Sequence, residues 1–283
     1  MKALRLADRE IRTPRPALIM GIVNATPDSF YGNSRGGVEL ALRLADEGAD
    51  IIDIGGESTR PGSSYVSEEE EIRRVIPVIE QIRKRSGIAI SVDTRKKAVM
   101  EAAWNAGADI VNDISALEDD AALAPFAADK GLPVILMHKR GIPSTMQDKT
   151  SYDDVLAQVS SYLTDRAQLA EAAGIARDRI IVDPGIGFGK GLDENKTLIW
   201  GCGTLCGGRY SVLMALSRKS CIASMVGEEG GDSGSGARLY GTLTADILAV
   251  LRGASMLRVH DVTACRNSLD VLQSFKEFIR GSE

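Results

Sequence analysis

The chain has 283 residues, and 34 Lys plus Arg against 39 Asp plus Glu give a formal net charge of −5. That balance excludes a basic protein built to coat nucleic acid, whose affinity rests on neutralising phosphates. With 44% apolar and 26% charged residues, wholesale disorder and a collagen-like repeat are excluded too.

Asp8, Arg9, Glu10, Arg12 and Arg15 precede the first apolar run, with no apolar h-region and no small-residue cleavage site. A cytoplasmic protein without a signal peptide is therefore expected. The apolar stretches, such as 17–23, fall far short of the roughly 18 residues of a membrane helix, so no membrane partner is expected. Cys202, Cys206, Cys221 and Cys265 contain no C-x-x-C pair, and the chain has two histidines, too few for a zinc-type ligand set. All four read as reduced packing thiols.

Short β-branched runs fall at 17–23, 50–54, 88–92, 109–114, 133–137, 179–182, 211–216 and 256–259. Longer stretches of helical period lie between them. In 67–85, for example, Ile72, Val75, Ile76, Ile79 and Ile82 recur at helical spacing behind a capping box of Ser67 and Glu70. A weak repeat, Gly-Ala-Asp at 48–50 and 107–109 and Gly-Ala-Ser at 253–255, places a glycine at the expected C′ position of three helices. Such alternation means parallel strands with right-handed crossovers, in an open doubly wound sheet or a closed (β/α)8 barrel. Eight units in this length favour one (β/α)8 TIM barrel spanning 1–283, and no linker divides the chain. The low-complexity stretch 227–236 reads as a solvent loop between the seventh strand and a helix beginning near Ala237.

Nearly every apolar run ends in a polar side chain: Asn24, Asp53 with Glu57, Asp93, Asn112 with Asp113, His138, Asp183, Arg218 with Lys219, and Arg258 with His260 and Asp261. In a barrel these converge on the C-terminal rim, where barrel enzymes build their active sites. Any one of them taken alone could equally be the N-cap of the following helix. Arg60, Lys219, Arg258 and His260 form a cationic set in an acidic protein, suited to phosphate or diphosphate. Asp93, Asn112 and Asp183, with Lys219, form a donor and acceptor set that can read the edge of a heterocycle. The run 183–191, Asp-Pro-Gly-Ile-Gly-Phe-Gly-Lys-Gly, lacks the spacing of a phosphate loop. Its glycines let backbone approach a planar ligand, with Phe188 as an aromatic wall.

Taken together, Ile22-Val-Asn-Ala-Thr-Pro-Asp-Ser-Phe30, Asp53-Ile-Gly-Gly-Glu-Ser-Thr-Arg-Pro-Gly62, Ser91-Val-Asp-Thr94, Val111-Asn-Asp-Ile114, Leu136-Met-His138, Asp183-Pro-Gly-Ile-Gly-Phe-Gly189, Ser217-Arg-Lys-Ser220 and Arg258-Val-His-Asp261 resemble the dihydropteroate synthases of folate biosynthesis. The resemblance runs from about Met20 to the last strand. It implies a (β/α)8 transferase that joins 6-hydroxymethyl-7,8-dihydropterin diphosphate to 4-aminobenzoate and releases pyrophosphate. It also implies inhibition by sulfonamides and a homodimer through outer helices. Carried over by position, Asp93, Asn112, Asp183 and Lys219 would hold the pterin, and Asn24, Arg60, Arg258 and His260 the diphosphate. Thr59, Arg60, Pro61, Phe188, Lys219 and Ser220 would frame aminobenzoate. Mg²⁺ would bridge diphosphate oxygens with Asn24 as its one protein ligand. Asp93, Asp183, Lys219, Arg258 and His260 would carry the catalysis, by a dissociative substitution.

The sequence departs from the family pattern at Lys139 and Arg140, where a methionine and a polar residue are usual. It departs again at Ala215, usually glycine, and in Tyr31-Gly-Asn-Ser-Arg35 of the first loop. None touches a motif anchor. Two other readings share the barrel. A pterin-binding methyltransferase with a corrinoid partner leaves Ser217-Arg-Lys-Ser220 and Arg258-Val-His260 without a purpose. A non-catalytic pterin-binding paralogue is expected to lose Arg60 or Lys219, and both are present.

Overall fold

The computed structural model describes residues 2–25, 34–58, 66–141, 150–228 and 236–277. Two short strands, β1 (Lys2–Arg5) and β2 (Glu10–Thr13), pair as an antiparallel hairpin. Eight more follow: β3 (Leu18–Asn24), β4 (Ile51–Gly55), β5 (Ala89–Asp93), β6 (Ile110–Asp113), β7 (Val134–Met137), β8 (Ile180–Asp183), β9 (Ser211–Met214) and β10 (Met256–Val259). They run parallel in sequence order, and β10 pairs with β3 to close a single (β/α)8 barrel. Each begins and ends within one or two residues of the run that apolar patterning predicts.

Because side chains alternate along a strand, every barrel strand splits its residues between two cores. Leu18, Met20, Ile51, Ala89, Ile110, Ile135, Ile181, Leu213 and Met256 fill the barrel interior. Their neighbours Ile19, Ile52, Ile90, Val111, Val134, Val182, Val212 and Leu257 face the helices. Leu4 and Leu6 join the interior set, so the hairpin plugs the barrel. Apolar periodicity does not predict this hairpin, since four-residue strands dominated by charge carry too little period to register.

The outer layer is α1 (Ser34–Asp46), α2 (Glu68–Arg83), α3 (Lys97–Asn105), α4 (Leu123–Lys130), α5 (Val155–Ala172), α6 (Leu192–Gly201), α7 (Ser220–Met225), α8 (Gly236–Leu251) and α9 (Val262–Ser274). The short α7 separates β9 from the low-complexity stretch, whose residues 229–235 lie outside those described. The repeated glycines end helices as expected. Gly48, Gly107 and Gly253 have φ of 104°, 108° and 114°. Their amides and those of the next residues turn back onto the last carbonyls, as in Gly48 to Ala45 at 3.0 Å and Ala49 to Leu44 at 3.0 Å. The capping box is only half formed. Ser67 Oγ accepts from the Glu70 amide at 3.3 Å, whereas the Glu70 carboxylate turns to Arg73 and Arg74.

Candidate active site

The alternation that packs the interior also aims the chemistry. Stepping by two along each strand from its interior apolar residue leads to Asn24 on β3, Asp53 on β4, Asp93 on β5, Asn112 on β6, Asp183 on β8 and Arg258 on β10. The even step carries all six to the inner side of the rim. Asp113 and His138 fall on the odd step. Asp113 is accordingly consumed as a local cap: its carboxylate accepts from the Ser115 amide and hydroxyl and from the Leu117 amide, each at 2.7 Å. The capping alternative therefore holds for Asp113 alone of this pair of carboxylates on β5 and β6.

At the floor of the mouth Arg258 bridges two acids. Its Nε donates to Asp53 Oδ2 at 2.7 Å and an Nη to Asp93 Oδ2 at 3.1 Å. The Asn112 amide donates to both oxygens of Asp53, at 3.3 and 3.2 Å. Asp53 is fully buried, which is tolerable only with such partners. Burial alone would lower the Arg258 pKa, but Asp53 and Asp93 hold it above its ordinary value. Burial raises Asp93 to about 7; Arg258 opposes the rise, and Asp53 and Glu71 add to it. Asp53 belongs to this centre although the sequence reading gave it no ligand role. Its inward register in the buried run of β4 is the signal that marks it.

Across the mouth, Asp183 and Lys219 offset one another. Burial raises the Asp183 pKa and lowers that of Lys219, and each opposes the other's shift. Asp183 Oδ1 also accepts from the Gly185 amide at 2.7 Å. Lys219 Nζ donates to the Ile186 carbonyl at 2.6 Å and lies 4.9 Å from the centre of the half-buried Phe188 ring. The backbone before Lys219 is responsible for this aim. Arg218 adopts φ of 58°, an uncommon conformation for a residue with a side chain. Its guanidinium leaves the mouth for Asp261, at 2.8 and 2.7 Å. Arg218 and Asp261, both expected at strand ends, are thus spent on each other.

His260 packs against the same turn, its Nδ1 2.9 Å from Ser217 Oγ. It follows β10, the strand paired with β3, so His260, Arg258 and Asn24 stand on adjacent strands. Ser220 is exposed at the start of α7. Thr59, Arg60 and Pro61, expected at the diphosphate and aminobenzoate, lie outside the described residues, as does most of the Tyr31-to-Arg35 departure. Lys139 and Arg140 are engaged elsewhere: Lys139 with Asp119 at 3.4 Å, and Arg140 with the Ser151 carbonyl at 2.8 Å and the Tyr152 ring at 3.6 Å. Ala215 is buried in the interior core. All four cysteines are free and buried.

Two buried groups beside the mouth went unnoticed in the sequence. Glu71, on the inner face of α2, meets Lys96 Nζ at 2.6 Å, and Lys96 also holds Glu57 at 2.7 Å and the Val66 carbonyl at 2.8 Å. Lys190, at the end of the glycine run, is buried as well.

Residues 20–260 match the family of pterin-binding enzymes. The dihydropteroate synthase of Escherichia coli K12 is 42% identical over 261 residues, covering 90% of each chain. The Xanthomonas albilineans dihydropteroate synthase, solved with 4-aminobenzoic acid, superposes with a TM-score of 0.88 at 44% identity, covering 97% of this chain and 98% of that one. The Yersinia pestis dihydropteroate synthase, solved with a sulfonamide drug complex, gives 0.89 at 36% identity, covering 97% and 99%.

Proposed function

The chain belongs to the pterin-binding enzymes and, among them, to the dihydropteroate synthases, and from that premise we propose which of its residues carry the condensation of pterin diphosphate with 4-aminobenzoate. The observation behind the assignment is the buried Asp53–Arg258–Asp93 bridge with Asn112, facing Asp183 and Lys219 across one mouth. A pterin edge presents adjacent N–H donors beside ring acceptors. Asp183 and Asp93 offer acceptors to the first, and Asn112 and Lys219 offer donors to the second.

The demanding step is departure of the diphosphate. An aromatic amine is neutral near pH 7 and needs no strong base, but loss of diphosphate leaves positive charge on the exocyclic methylene and the ring. Asp93 and Asp183 stabilise that charge from the floor. Arg258, His260 and Arg60 attend the departing diphosphate, and Arg258 serves both sides because its guanidinium is already shared with Asp93. Phe188, Lys219 and Ser220, with Thr59, Arg60 and Pro61, frame the incoming amine. Lys219 beside the Phe188 ring joins the two subsites.

Mg²⁺ fits this donor set in one manner only. The described residues hold no cluster of three or more His, Cys, Asp or Glu side chains suited to a metal, and the floor carboxylates are engaged by Arg258 and Asn112. Asn24 offers a single hard oxygen at the rim, which suits an ion carried largely by phosphate oxygens and water. Bound there, Mg²⁺ would neutralise charge on the leaving diphosphate.

We assign the same chain to the cytoplasm, as a homodimer inhibited by sulfonamides. Four free thiols suit a reducing compartment. No helix among the described residues is long and apolar enough to cross a membrane. Trp200 on α6 and Tyr240, Leu248 and Leu251 on α8 expose apolar surface on helices that touch. A pyrophosphate-release assay omitting pterin diphosphate, aminobenzoate or Mg²⁺ in turn tests the function. Failure to form dihydropteroate and pyrophosphate with all three present contradicts it, and light scattering of the purified protein tests the dimer.

A further inference from the structure

Lys190 is a lysine in the interior, 3% exposed, at the end of a loop whose glycines the pterin chemistry does not explain. Its Nζ lies 2.9 Å from the Gly185 carbonyl, 2.9 Å from the Phe188 carbonyl, 3.4 Å from the His138 carbonyl and 2.9 Å from His138 Nδ1. An ammonium has three donors and no acceptor, so the ring nitrogen accepts and His138 carries its proton on Nε2. Burial and the Lys190 charge agree with this, pushing the His138 pKa down to about 3. Burial also lowers Lys190, to about 7, with Asp183 opposing.

The loop is shaped to turn its carbonyls toward this one cation. Gly185, Gly187 and Gly189 take φ of 67°, 82° and 68°. A Cβ on Gly185 would sit 1.9 Å from the His138 carbonyl oxygen, so the loop is pressed against the end of β7. Asn195 secures the other side, its Oδ1 accepting from the Gly187 amide at 2.8 Å. The opposite surface of the loop is what the mouth uses: the Ile186 carbonyl that receives Lys219, and the Phe188 ring.

We propose that Lys190 is a positioning residue for the aminobenzoate subsite: from behind the loop, in contact with no substrate, it gathers the carbonyls of Gly185 and Phe188 against the His138 ring and so fixes where the Phe188 ring stands. The inference rests on the assignment of Phe188 to aminobenzoate above. Asp93, Asn112 and Arg258 stand on other strands, whereas Asp183 and Lys219 meet this loop at the Gly185 amide and the Ile186 carbonyl. A positioning defect should therefore fall more heavily on aminobenzoate, framed by the Phe188 ring itself, than on the pterin.

The test is a double-mutant cycle in steady-state kinetics with Lys190→Met, Phe188→Ala and the combination, with Lys190→Gln run alongside in case the methionine variant does not fold. Lys190→Met should raise KM for aminobenzoate by about ten-fold or more, within the roughly 100-fold that a misplaced positioning group can cost. KM for pterin diphosphate should rise less, by no more than about three-fold, because only Asp183 and Lys219 of its four residues meet the loop. In the Phe188→Ala background, replacing Lys190 should change the aminobenzoate KM by less than about two-fold, since the ring it positions is gone. The glutamine variant, which keeps two donors, should fall between wild type and methionine. Equal rises for both substrates, or an undiminished effect in the Phe188→Ala background, would make Lys190 merely structural. Should Phe188→Ala itself leave the aminobenzoate KM unchanged, the subsite assignment fails and takes this inference with it. If instead Phe188→Ala raises KM while Lys190→Met and Lys190→Gln do not, only the inference fails.

Discussion

Asp246 sits where helix chemistry would place an apolar residue. It belongs to the buried stripe of α8, with Arg238, Thr242, Ala245 and Ala249, and neither of its carboxyl oxygens has a hydrogen-bond partner among the described residues. Burial raises its pKa well above the usual 3.8, and its field contributes to raising the neighbouring Cys265 thiol, where burial is the larger cause. The folded carboxyl therefore keeps its proton to higher pH than the unfolded one, which loses it near pH ~3.9. Below that pH both states hold the proton and the titration costs folding nothing. Above it, folding must take up a proton, and stability falls by about 1.4 kcal/mol per pH unit until the folded group ionises. Asp246→Ala removes both the titration and the unmet oxygens. Losing the unmet oxygens brings a gain of about 1–3 kcal/mol at any pH, less about 0.5 kcal/mol for the small cavity left behind, and the lost titration adds its pH-dependent share to it. At roughly 2–4 °C per kcal/mol for a large domain, the melting temperature should rise by several degrees. Asp246→Asn removes the titration but keeps the unmet polar atoms, so it should flatten the pH dependence without that gain. Urea unfolding of the three proteins at several pH values from about 5 to 8 separates the contributions. Wild-type and alanine curves that stay parallel across that range would refute the unpaired, neutral Asp246.

At the mouth, Asp93→Asn keeps shape and removes charge, so turnover should fall by about 100-fold or more. In the wild type the anionic form of Asp93 appears as pH rises through about 7, giving the rate an acid limb there that stopped-flow or steady-state pH profiles would lose in Asp93→Asn. Lys219→Ala should weaken both substrates in calorimetry, whereas Lys139→Ala, whose ammonium is engaged by Asp119, should change neither. A labelled sulfonamide should bind more tightly once pyrophosphate and Mg²⁺ are present, because the amine subsite shares Arg60 with the diphosphate. Equal equilibrium affinity in the two conditions would separate the subsites.

The barrel was legible because its signal is repeated eight times: each strand is a buried run of four to seven residues, and three Gly-Ala motifs mark helix ends. Most of the mouth was legible for the same reason, since Asp93, Asn112, Asp183 and Arg258 end their runs with a polar side chain. The register could have been used further. Counting by two along β4 and β6 places Asp53 inside and Asp113 outside, which the mere presence of a carboxylate at a strand end does not distinguish. Lys190 was invisible for another cause. Two of its three closest partners are main-chain carbonyls, and no residue type announces that they will converge on one point beside the His138 ring. The same holds for Arg218, whose left-handed backbone turns it to Asp261 and leaves Lys219 to face inward.

In the proposed mechanism the mouth stabilises a cation formed as diphosphate departs, with Asp93 and Asp183 below it and Arg258 between floor and leaving group. The most direct measurement is the secondary isotope effect on the chemical step, read in single turnovers with deuterium on the exocyclic methylene of the pterin diphosphate. A normal effect is predicted, because that carbon becomes trigonal before the amine bonds to it. An effect of unity or an inverse one would mean that the amine bonds while diphosphate is still attached, contradicting a dissociative mouth.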